Sequence, residues 1–153
     1  MIVQLIHNPG SRSHKPARLA ALVRAFTACG AKVIEGETSI TGPVAISSEC
    51  DLLCVSGGDG ALRLVVSAMV KNGRDIPICV YPAGTVNLIA REVGYSNNPE
   101  LFAQQVMKGF AAGESARLHA PVIESDRGPF IACLSAGPDS LSVAAISPRL
   151  KRY

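Results

Sequence analysis

The chain alternates between short apolar runs and longer stretches in which apolar residues recur every three or four positions. Residues 2–6, 31–36, 52–55 and 76–80 read as strands. The run Leu52-Leu53-Cys54-Val55 has no polar alternation, as expected of a strand covered on both faces in a parallel sheet. Between the strands, residues 16–29 predict a helix, with Pro16 at a tolerated first-turn position and Gly30 at its end. Leu62, Val65, Val66, Met69 and Val70 place a second helix over 61–70. A short helix begins near Asn87, and residues 99–108 form another, capped by Asn97 or Asn98 with Gly109 near its end. Only a dozen residues, 38–49, return the chain from the second strand to the third, so any helix near 44–48 is limited to a turn or two. Strands alternating with helices predict an α/β fold with a parallel sheet between helical layers. After Gly113 the pattern changes. Residues 117–124 and 130–134 read as strands joined by Ser125-Asp126-Arg127-Gly128-Pro129, a hairpin signal. The expected division is a domain over 1–113 and the start of an incomplete antiparallel unit over 114–153.

With 153 residues, 48% of them hydrophobic and 18% charged, the chain suits one domain with a substantial core. A net charge of +3, no Trp and few other aromatic residues argue against nucleic acid as a partner. The visible basic clusters are Arg12, His14, Lys15 and Arg18 before and within the first helix, and Arg149, Lys151 and Arg152 at the tail. They suit a nucleotide phosphate or an anionic lipid surface, and they equally suit solvated helix faces. The five cysteines show no metal-type spacing and lie mostly in apolar runs. Cys50 and Cys54 would share a strand face too far apart for a disulfide, so buried free thiols in a reducing compartment are expected. Met1 leads straight into a strand, and no apolar run approaches the roughly 20 residues that span a bilayer. The expected location is the cytoplasm.

The candidate chemistry sits where strands end. After residues 52–55 comes Ser56-Gly57-Gly58-Asp59-Gly60, three glycines around one carboxylate, leading into a helix. Such glycines open backbone angles closed to other residues and admit a ligand to main-chain N–H groups, and a helix N-terminus favours an anion. Asp59 is a negative charge where a negative ligand belongs, a conflict that a divalent cation between carboxylate and phosphate would resolve. After residues 76–80 comes Tyr81-Pro82-Ala83-Gly84-Thr85-Val86-Asn87, another strand ending in a glycine loop. In a parallel sheet both loops face one crevice. Thr85 and Asn87 suit phosphate or ribose oxygens, or an N-cap and a turn.

The order Asn8-Pro9, Thr38, Gly57-Gly58-Asp59-Gly60 and Pro82-x-Gly84-Thr85-x-Asn87-x-x-Ala90-Arg91, each after its strand, resembles the diacylglycerol kinase catalytic domain family, which includes bacterial lipid kinases and sphingosine kinases and is distantly related to NAD kinases. The resemblance implies a three-layer, Rossmann-like nucleotide-binding domain followed by a β-sandwich whose first strands this chain contains. It implies MgATP as phosphoryl donor and a lipid hydroxyl, such as that of diacylglycerol, as acceptor, met at a membrane surface by a peripheral protein. By motif matching, Asn8, Thr38, Gly57, Gly58, Asp59, Gly60, Gly84, Thr85 and Asn87 fall at nucleotide-binding positions, and Asp59 is the catalytic candidate beside the transferring phosphate and its magnesium. No metal-ligand set is assigned. The family's hydroxyl, Asn and Glu after the glycine loop are replaced here by Ala61, Arg63 and Leu64, and Leu88 replaces an acidic residue after Asn87. The expectation is therefore a lipid kinase-like protein that is incomplete as an isolated chain. The alternatives are an inactive nucleotide-binding or regulatory module and a NAD kinase-like enzyme. Apolar strands after Gly113 with no complete sandwich to join predict self-association, with a homo-oligomer as the simplest outcome.

Overall fold

The computed structural model describes residues 1–38, 43–126, 128, 129 and 131. Four strands, β1 (Ile2–His7), β2 (Lys32–Glu37), β3 (Leu52–Gly57) and β4 (Ile78–Pro82), form one parallel sheet in the order β2-β1-β3-β4. The chain thus steps outward from β1 to β2, then returns to the other side of β1 for β3. That reversal leaves a crevice beyond the C-terminal ends of β1 and β3, the usual ligand position in an open α/β sheet.

Alternation along the strands divides the core into two halves. Val3, Leu5, Leu52, Cys54, Cys79 and Tyr81 point to one face, where Leu22 and Phe26 of α1 (Pro16–Ala28) and Phe102 and Val106 of α4 (Pro99–Ala111) cover them. Phe102 sits at the centre, meeting Phe26, Tyr81 and Tyr95 edge to face. Ile6, Leu53, Val55 and Val80 point the other way, onto Leu62, Val65, Val66 and Met69 of α2 (Asp59–Lys71) and Ala90 of α3 (Leu88–Glu92). β3, inside the sheet, is covered by helices on both faces, which is why residues 52–55 are apolar without alternation. The three-layer α/β architecture follows the sequence expectation.

Several boundaries differ from it. The second helix begins at Asp59, not 61, so Gly60 lies in its first turn. β4 begins at Ile78, although Ile76 is buried ahead of it. No helix forms over 43–50. Gln4, buried in β1, instead bonds the Ala45 carbonyl and the Ser47 N–H at 2.9 Å each, satisfying the irregular backbone of that connection. Asp51, at the sheet end away from the crevice, accepts the Ile2 N–H at 2.7 Å, and Asn98 caps α4 through the Leu101 N–H. Gly113–Ala116 forms a 3-10 turn.

The strand expected over 117–124 is reduced to an isolated bridge at Ile123, because Leu118, Val122 and Ile123 are exposed and have no sheet among the described residues to cover them. The turn after it is present: Ser125 accepts the Gly128 N–H on its carbonyl, with Gly128 at φ +94°. Residues 130–134, apart from Ile131, lie outside the described residues, as do Asp139 and the basic tail. Cys50, Cys54 and Cys79 are buried and unpaired and Cys29 is half-buried, all free thiols, whereas Cys133 falls outside the described residues. Burial pushes the Cys54 thiol well up, and its hydrogen bond and proximity to Cys79, its register partner on β4, push the same way. Among the described residues no helix is long and apolar enough to cross a membrane.

Candidate active site at the sheet switch point

The crevice holds a cavity of about 250 Å³. Asn8, Ser11, Ser13, His14 and Lys15 reach it from the loop after β1, Ser56, Gly57 and Gly58 from the end of β3, and Ala83, Gly84 and Thr85 from the loop after β4. Gly60 and Ala61 of α2 and Arg18 and Leu19 of α1 complete its wall. Two 13-residue helices therefore begin here. α1 has no acidic residue in its first turn and no side-chain cap at Lys15. The N–H groups that open α2, with the side chains of Lys15 and Arg18, make this an anion-attracting crevice; at α1, Pro16 has no N–H and those of Arg18 and Leu19 go to the Lys15 carbonyl.

The glycines act through close approach. None of Gly57, Gly58, Gly60 and Gly84 has a positive φ, so the expected need for unusual backbone angles is not the reason for them. A Cβ on Gly84 would stand 2.5 Å from Gly58 Cα and 2.9 Å from Gly58 N, and one on Gly57 would stand 2.8 Å from Ala61 Cβ. The two motif loops are packed backbone to backbone, which only residues without a side chain permit. Gly60 differs: a Cβ there meets nothing within 4 Å.

Asn87 supports this contact from behind. It adopts the left-handed conformation, φ 55°, and its side-chain amide clasps Gly84, accepting the Gly84 N–H and donating to the Gly84 carbonyl at 2.8 Å each. Asn8 does similar work on the first loop, accepting the Gly10 N–H at 2.9 Å.

Asp59 turns away from the cavity wall. Its carboxylate accepts the N–H of Leu88 at 3.2 Å and, more loosely, that of Ile89 at 3.4 Å, tying α2 to the start of α3. Thr38, at the end of β2, donates its N–H to the His7 carbonyl at 2.7 Å, while its buried hydroxyl oxygen has no partner among the described residues. Nδ1 of His7 is in the same condition. Of the sequence-predicted set, Asn8, Gly57, Gly58, Gly60, Gly84 and Thr85 line the cavity; Thr38, Asp59 and Asn87 do not. Ser11, Ser13 and Ser56 were not singled out in the sequence. The signal for the first two was a polar loop held between a strand end and Pro16.

A bound nucleotide fits this chemistry, since its phosphates would meet helix N-termini and cations. For magnesium, the described residues contain no group of three His, Cys, Asp or Glu able to hold a metal ion. Asp59, within the glycine loop, would be the carboxylate to hold an ion that accompanies the phosphates, although its oxygens here accept the Leu88 and Ile89 N–H groups.

The solved diacylglycerol kinase from Bacillus anthracis superposes with a TM-score of 0.55 at 23% identity, over 69% of this chain and 39% of that one. A NAD kinase from Archaeoglobus fulgidus, solved in complex with ATP, superposes with a TM-score of 0.53 at 16% identity, over 84% of this chain and 45% of that one. Both share the fold. A diacylglycerol kinase from Mycobacterium tuberculosis (strain H37Rv) is 37% identical over 67 residues, which is 43% of this chain and 21% of the relative. The matched part thus spans about a fifth of the curated relative's length. Residues 3–113 match the diacylglycerol kinase catalytic domain, and the chain belongs to that family.

Proposed function

We propose that the chain is the nucleotide-binding domain of an ATP-dependent lipid kinase, in which MgATP gives its γ-phosphoryl group to the hydroxyl of a lipid such as diacylglycerol. The observation that carries this reading is the cavity at the switch point, where two glycine loops, two helix N-termini and the cations of Lys15 and Arg18 converge. Phosphoryl transfer depends chiefly on positioning and charge neutralisation. In this reading the α2 N–H groups and the loop 57–60 cradle the phosphates, and Lys15 and Arg18 neutralise them. The hydroxyl of Thr85 and the amide of Asn8 bind nucleotide oxygens. The buried hydroxyl of Thr38 supplies a hydrogen bond to a ligand entering beside β1. Were magnesium to accompany the nucleotide, Asp59 would be the residue to hold it, and the ion would neutralise charge on the phosphates. Val86, Leu88 and Val93, exposed on the segment that follows the cavity, offer apolar surface to a lipid acceptor at a membrane. Residues 1–113 form the nucleotide-binding unit and 114–153 open a second one, through which copies of the chain associate.

A second reading, a nucleotide-binding module without catalysis, is favoured by Asp59, whose oxygens are occupied by α3 N–H groups.

Calorimetric titration with MgADP tests the site. Gly60 is exposed, and an added methyl meets no protein atom, so Gly60→Ala keeps the fold while intruding on a ligand drawn close to the α2 backbone. The expected result is at least tenfold weaker binding, about 1.4 kcal/mol, at unchanged or higher stability. Equal affinity in the variant, or no binding by the wild type at millimolar MgADP, would remove the nucleotide from this crevice.

A further inference from the structure

His7 and His14 form a pair that the phosphate-binding residues above do not include. His7 ends β1, is 7% exposed, and has a buried Nδ1 without a partner among the described residues. The ring of His14 lies over it, with centroids 5.0 Å apart and planes 16° from parallel. His14 is half-buried and lines the cavity between Ser13 and Lys15. Two imidazolium rings stacked at this distance repel one another, and the inner ring has little access to water. Burial and the stacked ring therefore disfavour a charge on His7.

The nearby carboxylates act against this, and burial with the stacked His14 ring outweighs them. Glu37 and Glu35 on β2 face His7, with Glu37 its register partner, and the uncharged Ser56 is its register partner on β3. The Thr38 hydroxyl is also uncharged. On the cavity side the other charged groups are the cations Lys15 and Arg18 of the α1 start. Burial first, and then His14, hold the His7 pKa below its ordinary value despite the two glutamates. An arriving phosphate adds negative charge next to His14, which favours its protonated, donating form.

We infer that His14 is a proton-linked phosphate ligand of this site, with His7 as the buried neutral ring that positions it, so that oligophosphate binding takes up a proton and strengthens as pH falls. The inference rests on the anion-binding reading of the cavity and adds a pH-dependent residue to it. Binding weakens as pH rises because the bound state holds the proton more tightly than the free state.

Tripolyphosphate serves as the probe. Imidazole NMR resonances of His7, His14 and His119 would be followed from pH 5 to 9, with and without the probe. The His14 midpoint should rise on binding, and the His7 resonances should begin to move only at lower pH, after His14 has charged. In parallel, calorimetry should show tripolyphosphate affinity falling about tenfold more between pH 6 and 8 for wild type than for His14→Gln, the probe's own ionisation being common to both. His7→Gln should shift the pH at which the affinity changes while leaving the dependence in place, which a purely structural role for His7 would not do. A His14 midpoint indifferent to the probe, or an equally steep profile in His14→Gln, overturns the inference. Should His14→Gln fail to fold, the wild-type NMR titration decides alone. MgADP binding without pH dependence would retain the nucleotide site and reject the histidine role, whereas no binding of either ligand would reject both.

Discussion

Gly84→Ala should damage the fold, although alanine is the smallest possible addition. The new Cβ would stand 2.5 Å from Gly58 Cα and 2.7 Å from Asn87 Oδ1, where ordinary contact needs 3.4 Å or more. One obstacle is backbone, which has no rotamer to change, so the two motif loops must separate by about 1 Å. Overpacking of this kind costs about 1–3 kcal/mol. The other obstacle is the amide that clasps Gly84 through two 2.8 Å bonds, and each bond weakened loses about 1 kcal/mol. With both bonds weakened the total expected is roughly 3–5 kcal/mol, a large fraction of a small domain's stability. Urea denaturation followed by circular dichroism would measure it as a lower midpoint at unchanged slope. Gly60→Ala is the internal control, because its Cβ meets nothing and it replaces glycine within a helix; it should stabilise by up to about 1 kcal/mol. If Gly84→Ala is as stable as wild type, within about 0.5 kcal/mol, the claim that these glycines serve close packing fails.

Three further outcomes are expected. Because Asp59 caps α3 and Leu88 stands where the family places an acid, radiolabelled ATP offered with diacylglycerol micelles should show turnover well below about 1 s⁻¹, and ordinary kinase rates would contradict that assignment. His7 binds its proton more weakly folded than unfolded, so the unfolded chain takes up more protons. Stability should fall as pH drops through and below 6.5, with His7→Gln removing that component, and a pH-independent midpoint between 7 and 5.5 would refute it. Leu118 and Ile123, 74% and 50% exposed, should support self-association; light scattering at high micromolar protein should show Leu118→Lys with Ile123→Lys shifted toward monomer, and a strictly monomeric wild type would end that idea.

Much of the architecture was legible in one dimension. A buried parallel strand has no solvent face, so the unbroken run at 52–55 revealed its covering layers; 3.6-residue spacing located α2 and cap residues located α4, because periodicity and capping are local properties. Strand ends followed by glycines marked the edge of the sheet where the cavity lies. The local pattern failed at 117–124, where alternation of apolar residues describes a possible strand but pairing requires a neighbour that periodicity cannot supply. The purpose of the glycines was equally out of reach. Gly58 and Gly84 are 26 positions apart, and only the arrangement of β3 beside β4 brings their backbones together. Asp59 and Asn87 looked like ligand-binding residues because their types suit that chemistry, whereas the packed loops direct their side chains to α3 N–H groups and to Gly84. The stacking of His14 on His7 also needed the folded loop, since the six residues between them could have carried the second ring anywhere around the crevice. Sequence determined which elements form and which sheet edge carries the glycine loops, because those follow from local periodicity and composition; tertiary structure decided which side chains face the cavity, because that depends on contacts between residues far apart in the chain.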